Sequence, residues 1–498
     1  MSKNLILFLF LSISIQLNSQ KKAENPTSWD VNNPHEDWLY NSFELNTTEG
    51  TWMNLDVSPD GKTIVFDLLG NIYKMPISGG TTTVLRSGLA YEVQPRYSPN
   101  GKYISFTSDA EGGNNIWVMS ADGKNAKSIT KEKFRLLNNA VWAPDGKSLV
   151  ARKHFTSTRS VGAGEMWQYP LSGAAGLQLT KRKNDQQDVN DPSISPDGKY
   201  LYYAEDMYPG GFFQYNKDPN KQIYVINQYN FETGETERIT GGPGGAARPV
   251  ISKNGKLLAF VKRVRTKSVL YIHELETGKE WPVYENLSKD QSEAWAVFGV
   301  YPHFAWTPDS KDIIIWAQGK INRVNIDTKQ ISNIPFQVSQ EIKLAKTHRV
   351  KRKVFEAEFT SKMIKDAQTS PDEKTIVFTS LGHIYKKELP NGIPQRITTL
   401  SDFEAEPSFS ADGNSILFVT WNDESLGAIY RVSLDGSGLQ KLTSEKGIYR
   451  TPSFNNSNTQ IVYRKESGNG DQGYDYSKKA GIYIANKDGS SAKRISKN

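Results

Sequence analysis

A five-residue turn recurs along this chain and dictates what it can become. It reads Ser58-Pro59-Asp60-Gly61-Lys62, Ser98-Pro99-Asn100-Gly101-Lys102, Ala143-Pro144-Asp145-Gly146-Lys147 and Ser195-Pro196-Asp197-Gly198-Lys199. Looser copies are Ser252-Lys253-Asn254-Gly255-Lys256, Thr307-Pro308-Asp309-Ser310-Lys311, Ser370-Pro371-Asp372-Glu373-Lys374 and Ser410-Ala411-Asp412-Gly413-Asn414. A ninth copy, Asn455-Asn456-Ser457-Asn458-Thr459, has lost both Pro and Gly. Pro fixes φ at the first corner, Asp or Asn bonds back to nearby backbone, and Gly takes the left-handed position. Such a turn joins two antiparallel strands.

The strand after each turn alternates with a period of two, as at Ile64 and Phe66, Ile104 and Phe106, Ile376 and Phe378, and Ile416 and Phe418. A further strand begins at Asn71-Ile72-Tyr73, Asn115-Ile116-Trp117, His383-Ile384-Tyr385 or Gly481-Ile482-Tyr483. A second tight turn, such as Asp122-Gly123 or Asp435-Gly436, and a closing strand, such as Ile129-Thr130 or Leu442-Thr443, complete the unit. Units of four strands at intervals of roughly 40 to 63 residues predict an all-β chain, a β-propeller of four-stranded blades with about nine repeat units. Helical repeats are disfavoured, because the apolar period is two and Gly and Pro punctuate every unit. A single blade cannot bury both faces of its sheet, so neighbours must stack.

Composition agrees. The 11 Trp, 23 Tyr and 21 Phe are rings suited to a β-rich core. There is no Cys, which excludes disulfides, thiolate zinc sites and a cysteine nucleophile. The net charge of +7 is modest over 498 residues. Its densest basic stretches, 262–267 and 348–353, read as solvated strand edges guarded against aggregation, and no nucleic-acid partner is expected. Residues 1–19 carry one Lys, an apolar run over 5–15 and Ser19 before Gln20, the pattern of a cleavable signal peptide. That run is too short to span a bilayer. The expected location is periplasmic or secreted, with no membrane span.

The turn units resemble the propeller repeats of TolB, of the tricorn protease and of prolyl-oligopeptidase-type enzymes. Beyond the repeats, Trp29-Asp30-Val31-Asn32-Asn33-Pro34, Phe213-Gln214-Tyr215-Asn216-Lys217-Asp218-Pro219 and Gly299-Val300-Tyr301-Pro302-His303-Phe304 look like a bacterial family that fuses a long TolB-like propeller to a C-terminal amidohydrolase domain. That resemblance implies a metal-dependent hydrolase barrel after the propeller. The barrel's His-x-His occurs nowhere in these 498 residues, so its metal and catalytic residues carry over to no position.

Other catalytic constellations are also absent. There is no Gly-x-Ser-x-Gly elbow, and His35-Glu36 and His273-Glu274 lack the second His of a zincin. Gly241-Gly242-Pro243-Gly244-Gly245 reads as a loop between blades, the turn carboxylates as local turn-formers, and Trp142, Trp306 and Trp316 as core. No catalytic, cofactor-binding or metal residue is therefore expected. Function is sought in insertions that a blade does not need. These are 154–165, 206–221 with Tyr208, Phe212, Phe213 and Tyr215, and 289–303 with Trp295, Phe298 and Tyr301. Aromatics at that density suit either a protein or peptide contact surface or a cap on the central channel.

The expected organisation is a signal peptide at 1–19, an extension at 20–49, a six-bladed propeller at 50–337, and three blades of an incomplete second propeller at 338–498. The expected function is an exported protein- or peptide-binding scaffold without its own active site. The alternative is the propeller half of a truncated or split amidohydrolase, or of a tricorn- or prolyl-oligopeptidase-like peptidase, which positions or gates substrate for a catalytic domain in trans.

Overall fold

The structure, a computed structural model, describes residue 31 and residues 39–497 apart from 134–135, 157–160, 185–186, 207–217, 295, 347–349, 351 and 469–477. The leader lies outside the described residues. Every regular element in the described part is a strand. These strands form nine four-stranded antiparallel sheets, the blades of a β-propeller architecture, and one three-stranded sheet. The blades span 55–86, 92–128, 137–178, 189–240, 247–284, 305–334, 365–396, 403–441 and 449–497, and are numbered in that order.

Each blade uses strands that are consecutive, or nearly so, in the chain. The repeated turn joins the innermost strand to the second, as between Leu55–Val57 and Thr63–Leu68. Within it the Ser hydroxyl donates to the Asp or Asn two residues on, at 2.6 Å from Ser58 to Asp60 and 2.5 Å from Ser195 to Asp197. The same hydroxyl oxygen then accepts the N–H five residues on, so one side chain holds both arms of the corner. Gly61 has φ 71°, and a Cβ there would stand 3.2 Å from the ring of Pro308, in the matching turn of blade 6. Gly is thus required twice, by conformation and by the neighbouring turn.

In the ring the second strands are buried on both faces, because each blade packs between two others, whereas alternate residues of Gln460–Lys465 in blade 9 are exposed. In blade 1, Ile64, Val65 and Phe66 are all fully buried. Val65 and Ile72 meet Ile104, Phe106 and Met119 of blade 2. On the opposite face, Ile64 and Phe66 join a cluster with Trp306, Ile314 and Trp316 of blade 6. Burying each such side chain contributes about 2 kcal/mol, and this cluster closes the ring of six.

Side chains lock the same seam. Asn54 donates its backbone N–H and its amide to the two carboxylate oxygens of Asp67, both at 2.8 Å. Its Oδ1 accepts the backbone N–H of His303 at 3.0 Å, and Leu55 N–H donates to His303 O at 3.0 Å. A clasp adds to this. The strand Tyr40–Thr47 pairs antiparallel with Phe336–Ala345, whose first residues pair in parallel with Gly80–Thr81 beside blade 1. The expected boundary after residue 337 falls inside this strand, and part of the expected N-terminal extension is its partner.

Blades 7 to 9 pack on one another in the same manner. Val377 and Ile384 meet Ile416 and Phe418, while Leu417 and Ile429 meet Ile461 and Tyr463. Their innermost strands differ from those of the ring. All five residues of Lys365–Thr369 are exposed, whereas all six of Glu92–Tyr97 are buried.

Replacing Asn54 with Ala removes the acceptor of a buried N–H at the seam and one donor to a buried carboxylate. The expected loss is about 2 to 3 kcal/mol of ring stability, read as a lower urea midpoint of tryptophan fluorescence. An unchanged midpoint would show that the seam does not depend on this residue.

Candidate functional site

The innermost strands carry a feature that composition does not announce. In blades 2, 3, 4, 5, 7, 8 and 9 this strand has a β-bulge, marked by a register shift. The bulged residues Gln94, Asn139, Asp191, Arg248, Asp366, Glu406 and Thr451 have φ between 47° and 61°. Non-glycine residues adopt this left-handed form at a cost of about 1 kcal/mol. In Gln94, Asn139, Arg248, Glu406 and Thr451 a bond across the blade gap offsets it, whereas Asp191 N–H bonds to Asn190 Oδ1 in its own strand. Gln94 N–H donates to Asp67 Oδ2 at 2.6 Å, and Asn139 N–H to Gln94 Oε1 at 2.8 Å. Arg248 N–H donates to Asp191 Oδ2 at 3.2 Å, and Thr451 N–H to Glu406 Oε2 at 2.6 Å. A faint signal was available, since Gln94, Asp191, Arg248, Glu406 and Thr451 each precede a Pro. Pro suits a place where a bulge leaves the next N–H unpaired.

At the bulge end of the ring, the insertion 289–303 runs across the channel. Asn190 donates to Ala296 O at 2.8 Å, Asn138 to Val297 O at 2.8 Å, and Gln94 to Phe298 O at 2.9 Å. Arg248, 1% exposed, donates to Tyr301 O and Asn139 Oδ1 and pairs with the fully buried Asp191 at 2.8 Å. Gly299, at φ 105°, leaves room for that guanidinium, which a Cβ would strike. The insertion is therefore a plug.

The structure separates the candidates that the sequence singled out. Tyr301 is fully buried and its hydroxyl donates to Trp316 O at 2.9 Å, so it is a core residue. Phe298 is half-buried, edge-on to Tyr91. Trp295, Tyr208, Phe212, Phe213 and Tyr215 lie outside the described residues. The strand ends that flank the 206–221 insertion, at Asp206 and Tyr224, belong to the plug end, and Tyr224 packs with Ala296 and Val300. The basic stretch 262–267 is not simply a solvated edge. Arg263 is buried and bidentate to Asp290, at 2.8 and 2.9 Å, and thereby anchors the plug's approach.

The open cavity lies at the other end, among the turns themselves. It measures about 460 Å³ and takes residues from all six blades. Pro59, Pro99, Pro144, Pro196 and Pro308 form its rim, and Lys253 stands where blade 5 has no Pro. Trp142, Ile194, Val250 and Trp306 give apolar walls, with both indole N–H groups already donating to backbone, at Arg96 O and Val250 O.

Polar groups converge at its inner end. Arg96 is 4% exposed. Among the described residues its guanidinium makes one hydrogen bond, from Nη1 to Pro95 O at 2.7 Å. Its remaining N–H groups have no protein acceptor there. Asp56 is occupied, accepting Val57 N–H at 2.9 Å and Tyr97 N–H at 2.8 Å. Burial raises the Asp56 carboxyl above its ordinary value, opposed by the charges of Lys253 and Arg96. Burial also brings the Arg96 guanidinium down to about 9. His303 bonds through Nδ1 to Leu55 O at 3.1 Å. Burial, then the positive charges of Arg96 and Arg248, hold it well below its usual range and neutral. Sequence reading took these turns as scaffold and so missed Arg96, Asp56, Lys253 and His303. Among the described residues no group of three or more His, Asp or Glu is placed to hold a metal ion. No helix there is long and apolar enough to cross a membrane.

A ring of four-stranded blades around a plugged channel defines a β-propeller. Its repeats are TolB-like, since residues 44–214 match the family described as TolB beta propeller domain. Among curated proteins, Atu1656 of Agrobacterium fabrum, an uncharacterized protein, is 28% identical over 159 residues, 30% of this chain and 52% of that protein. Dipeptidyl-peptidase 5 of Porphyromonas gingivalis is 24% identical over 280 residues, 51% of this chain and 36% of that protein. The chain thus spans a quarter to a half of the length of the curated relatives it matches. A solved structure described as a TolB of Agrobacterium tumefaciens is 19% identical, with a TM-score of 0.40, covering 54% of this chain and 87% of that one.

The buried Asp67 gives this site a pH signature. Burial lifts its carboxyl from 3.8 to about 6, against the bonds from Gln94 and Asn54 that favour the charged form. A folded-state value above the unfolded one makes its contribution complete below about pH 4 and lost as pH rises through 6. The change is about 3 kcal/mol. The stability of the native chain relative to Asp67→Asn should therefore fall by that order between pH 4 and pH 7, measured by urea unfolding at each pH. A pH-independent difference would contradict it.

Proposed function

We propose that the chain is an exported TolB-like propeller that binds a protein or peptide segment in the cup at the turn end of its six-blade ring. In this reading it has no active site of its own. The carrying observation is Arg96, a buried guanidinium at an open apolar cavity with most of its donors unmatched by protein. A guanidinium so placed suits a carboxylate, from an acidic side chain or a chain end, with Lys253 adding charge at the rim. The Trp142, Ile194 and Val250 walls suit an apolar neighbour of that carboxylate. Residues up to about 346 would form the binding ring, and 365–497 a second group of blades. The leader pattern supports export to the periplasm or beyond. The aromatics of 206–221 and Trp295 would form a separate contact.

The partial match to dipeptidyl-peptidase 5 favours a second reading. Here the chain is the propeller portion of a peptidase or amidohydrolase and admits or positions substrate for a catalytic domain carried elsewhere. The cup would then be an entry port with the same preference for acidic segments.

A random peptide library displayed on phage and selected on the purified chain tests the first reading. Selected peptides should share a carboxylate and bind about 10- to 100-fold more weakly to Arg96→Gln. They should weaken to a smaller degree with Lys253→Gln, whose native side chain is exposed. Selected peptides that bind both variants as well as the native chain would move the site to the plug end.

A further inference from the structure

The gap between blades 4 and 5 holds a cavity of about 570 Å³, on the outer side of the turns that rim the cup. That volume is within the range of small-molecule sites. Two rows of side chains face each other across it. Blade 4 contributes Tyr202, Gln228 and Glu237, opposite one another on successive strands. Blade 5 answers with Leu258, His273 and Glu280, aligned in the same way. Each row departs from the repeat at one place. The register of His273 is filled by Met75, Met119, Tyr169, Tyr229 and Val324 in the other blades of the ring. The register of Tyr202 holds Val65, Ser105, Val150, Ala259 and Ile314. Blade packing therefore calls for neither the imidazole nor the phenol.

His273 is 6% exposed and is held from behind. Its Nδ1 meets Glu280 Oε1 at 3.1 Å. Glu280 also accepts the Thr240 hydroxyl from blade 4 and stands 3.6 Å from Lys262 Nζ. Burial works against this carboxylate, yet the bonds from His273 and Thr240 and the Lys262 charge hold it below its ordinary range. An ionised carboxylate only accepts, so Nδ1 carries the proton and the neutral ring presents a lone pair at Nε2. Nε2 has no hydrogen-bond partner among the described residues, and the ring lines the cavity. Tyr202, 3% exposed, lines it too, and its hydroxyl has no partner among them either. Burial raises that phenol to about 12, so it remains a donor.

Nε2 needs a donor and the phenol needs an acceptor, and a hydroxyl is both. An ionised carboxylate or phosphate dianion brings no donor to Nε2. The charges of Arg238, on the cavity wall, and of Lys262, beside Glu280, disfavour a cation. Tyr200, half-buried on the same wall, offers a ring for the C–H face of a hydroxyl-rich ligand. We propose that this cavity binds a neutral saccharide, one ring hydroxyl donating to His273 Nε2 and a neighbouring hydroxyl accepting from Tyr202. Glu280 and Thr240 act through His273, fixing its tautomer and tying the two walls together. The site rests on neither reading of the cup.

Isothermal titration of the full chain with neutral trisaccharides of glucose, mannose, galactose, xylose and N-acetylglucosamine tests this. At least one should bind with a Kd of about 0.1 to 1 mM. Tyr202→Phe should weaken that binding about 5- to 10-fold. His273→Met, which uses the side chain of the same register in blades 1 and 2, should weaken it to a similar degree. Both variants should keep the native near-ultraviolet circular dichroism. Arg96→Gln should bind the sugar as the native chain does, which separates this site from the cup. No binding by any of the five tighter than about 10 mM, or binding that both variants leave unchanged, would overturn the proposal. So would loss of binding with Arg96→Gln, which would seat the sugar in the cup. Binding of galacturonate trisaccharide in place of the neutral sugars would overturn the ligand class.

Discussion

A backbone N–H held in a left-handed bulge, donating to a side chain of the blade before it, is the interaction on which this architecture depends. A blade pressed against its neighbour by apolar contact alone could slide along it, because hydrophobic burial is not directional. The bond from Gln94 to Asp67, and from Asn139 to Gln94, has direction and fixes height and angle together. Gln94 is donor toward one side and acceptor toward the other, as is Glu406, so the blades are set in order round the axis. At the seam the same role passes to Asn54 and His303, which join strands almost the whole ring apart in sequence.

The two ends of the channel follow from that arrangement. In blades 2 to 5 bulges expose polar side chains at one end of the innermost strand, and the carbonyls of 296–301 satisfy them as a plug. The turn end has no such demand. Pro rims and indole walls leave it concave and largely apolar, with Arg96 a deep cation whose donors the protein leaves open. A closed polar end and an open end with an unsatisfied guanidinium make the ring a cup rather than a pore.

Much of the fold was legible. Ser-Pro-Asp-Gly corners, period-two strands and Gly-bearing second turns are local signals, and the structure has nine blades where they fall. The bulge residues were legible only through the Pro that follows most of them, because Gln94, Asn139, Asp191 and Arg248 share a backbone conformation and no side-chain type. The cup was not legible. The turns look like pure scaffold in sequence, and only the convergence of six of them makes a surface. Insertions were the natural place to look for function, yet 289–303 is spent on filling the bulge end. Arg263 shows the same limit, since a basic run cannot reveal that one member will meet Asp290 out of water.

The clasp between Tyr40–Thr47 and Phe336–Ala345 has a mechanical meaning. Tyr40 lies opposite Ala345, and Lys346 N–H bonds to Leu39 O, so both chain exits leave from the same end of the pair. Tension between the N-terminal region and the later blades would load those bonds one at a time, as in a zipper, rather than all together in shear. The clasp would yield first and at low force, letting the two ends extend by the length of two strands before any strain reached the seam of the ring.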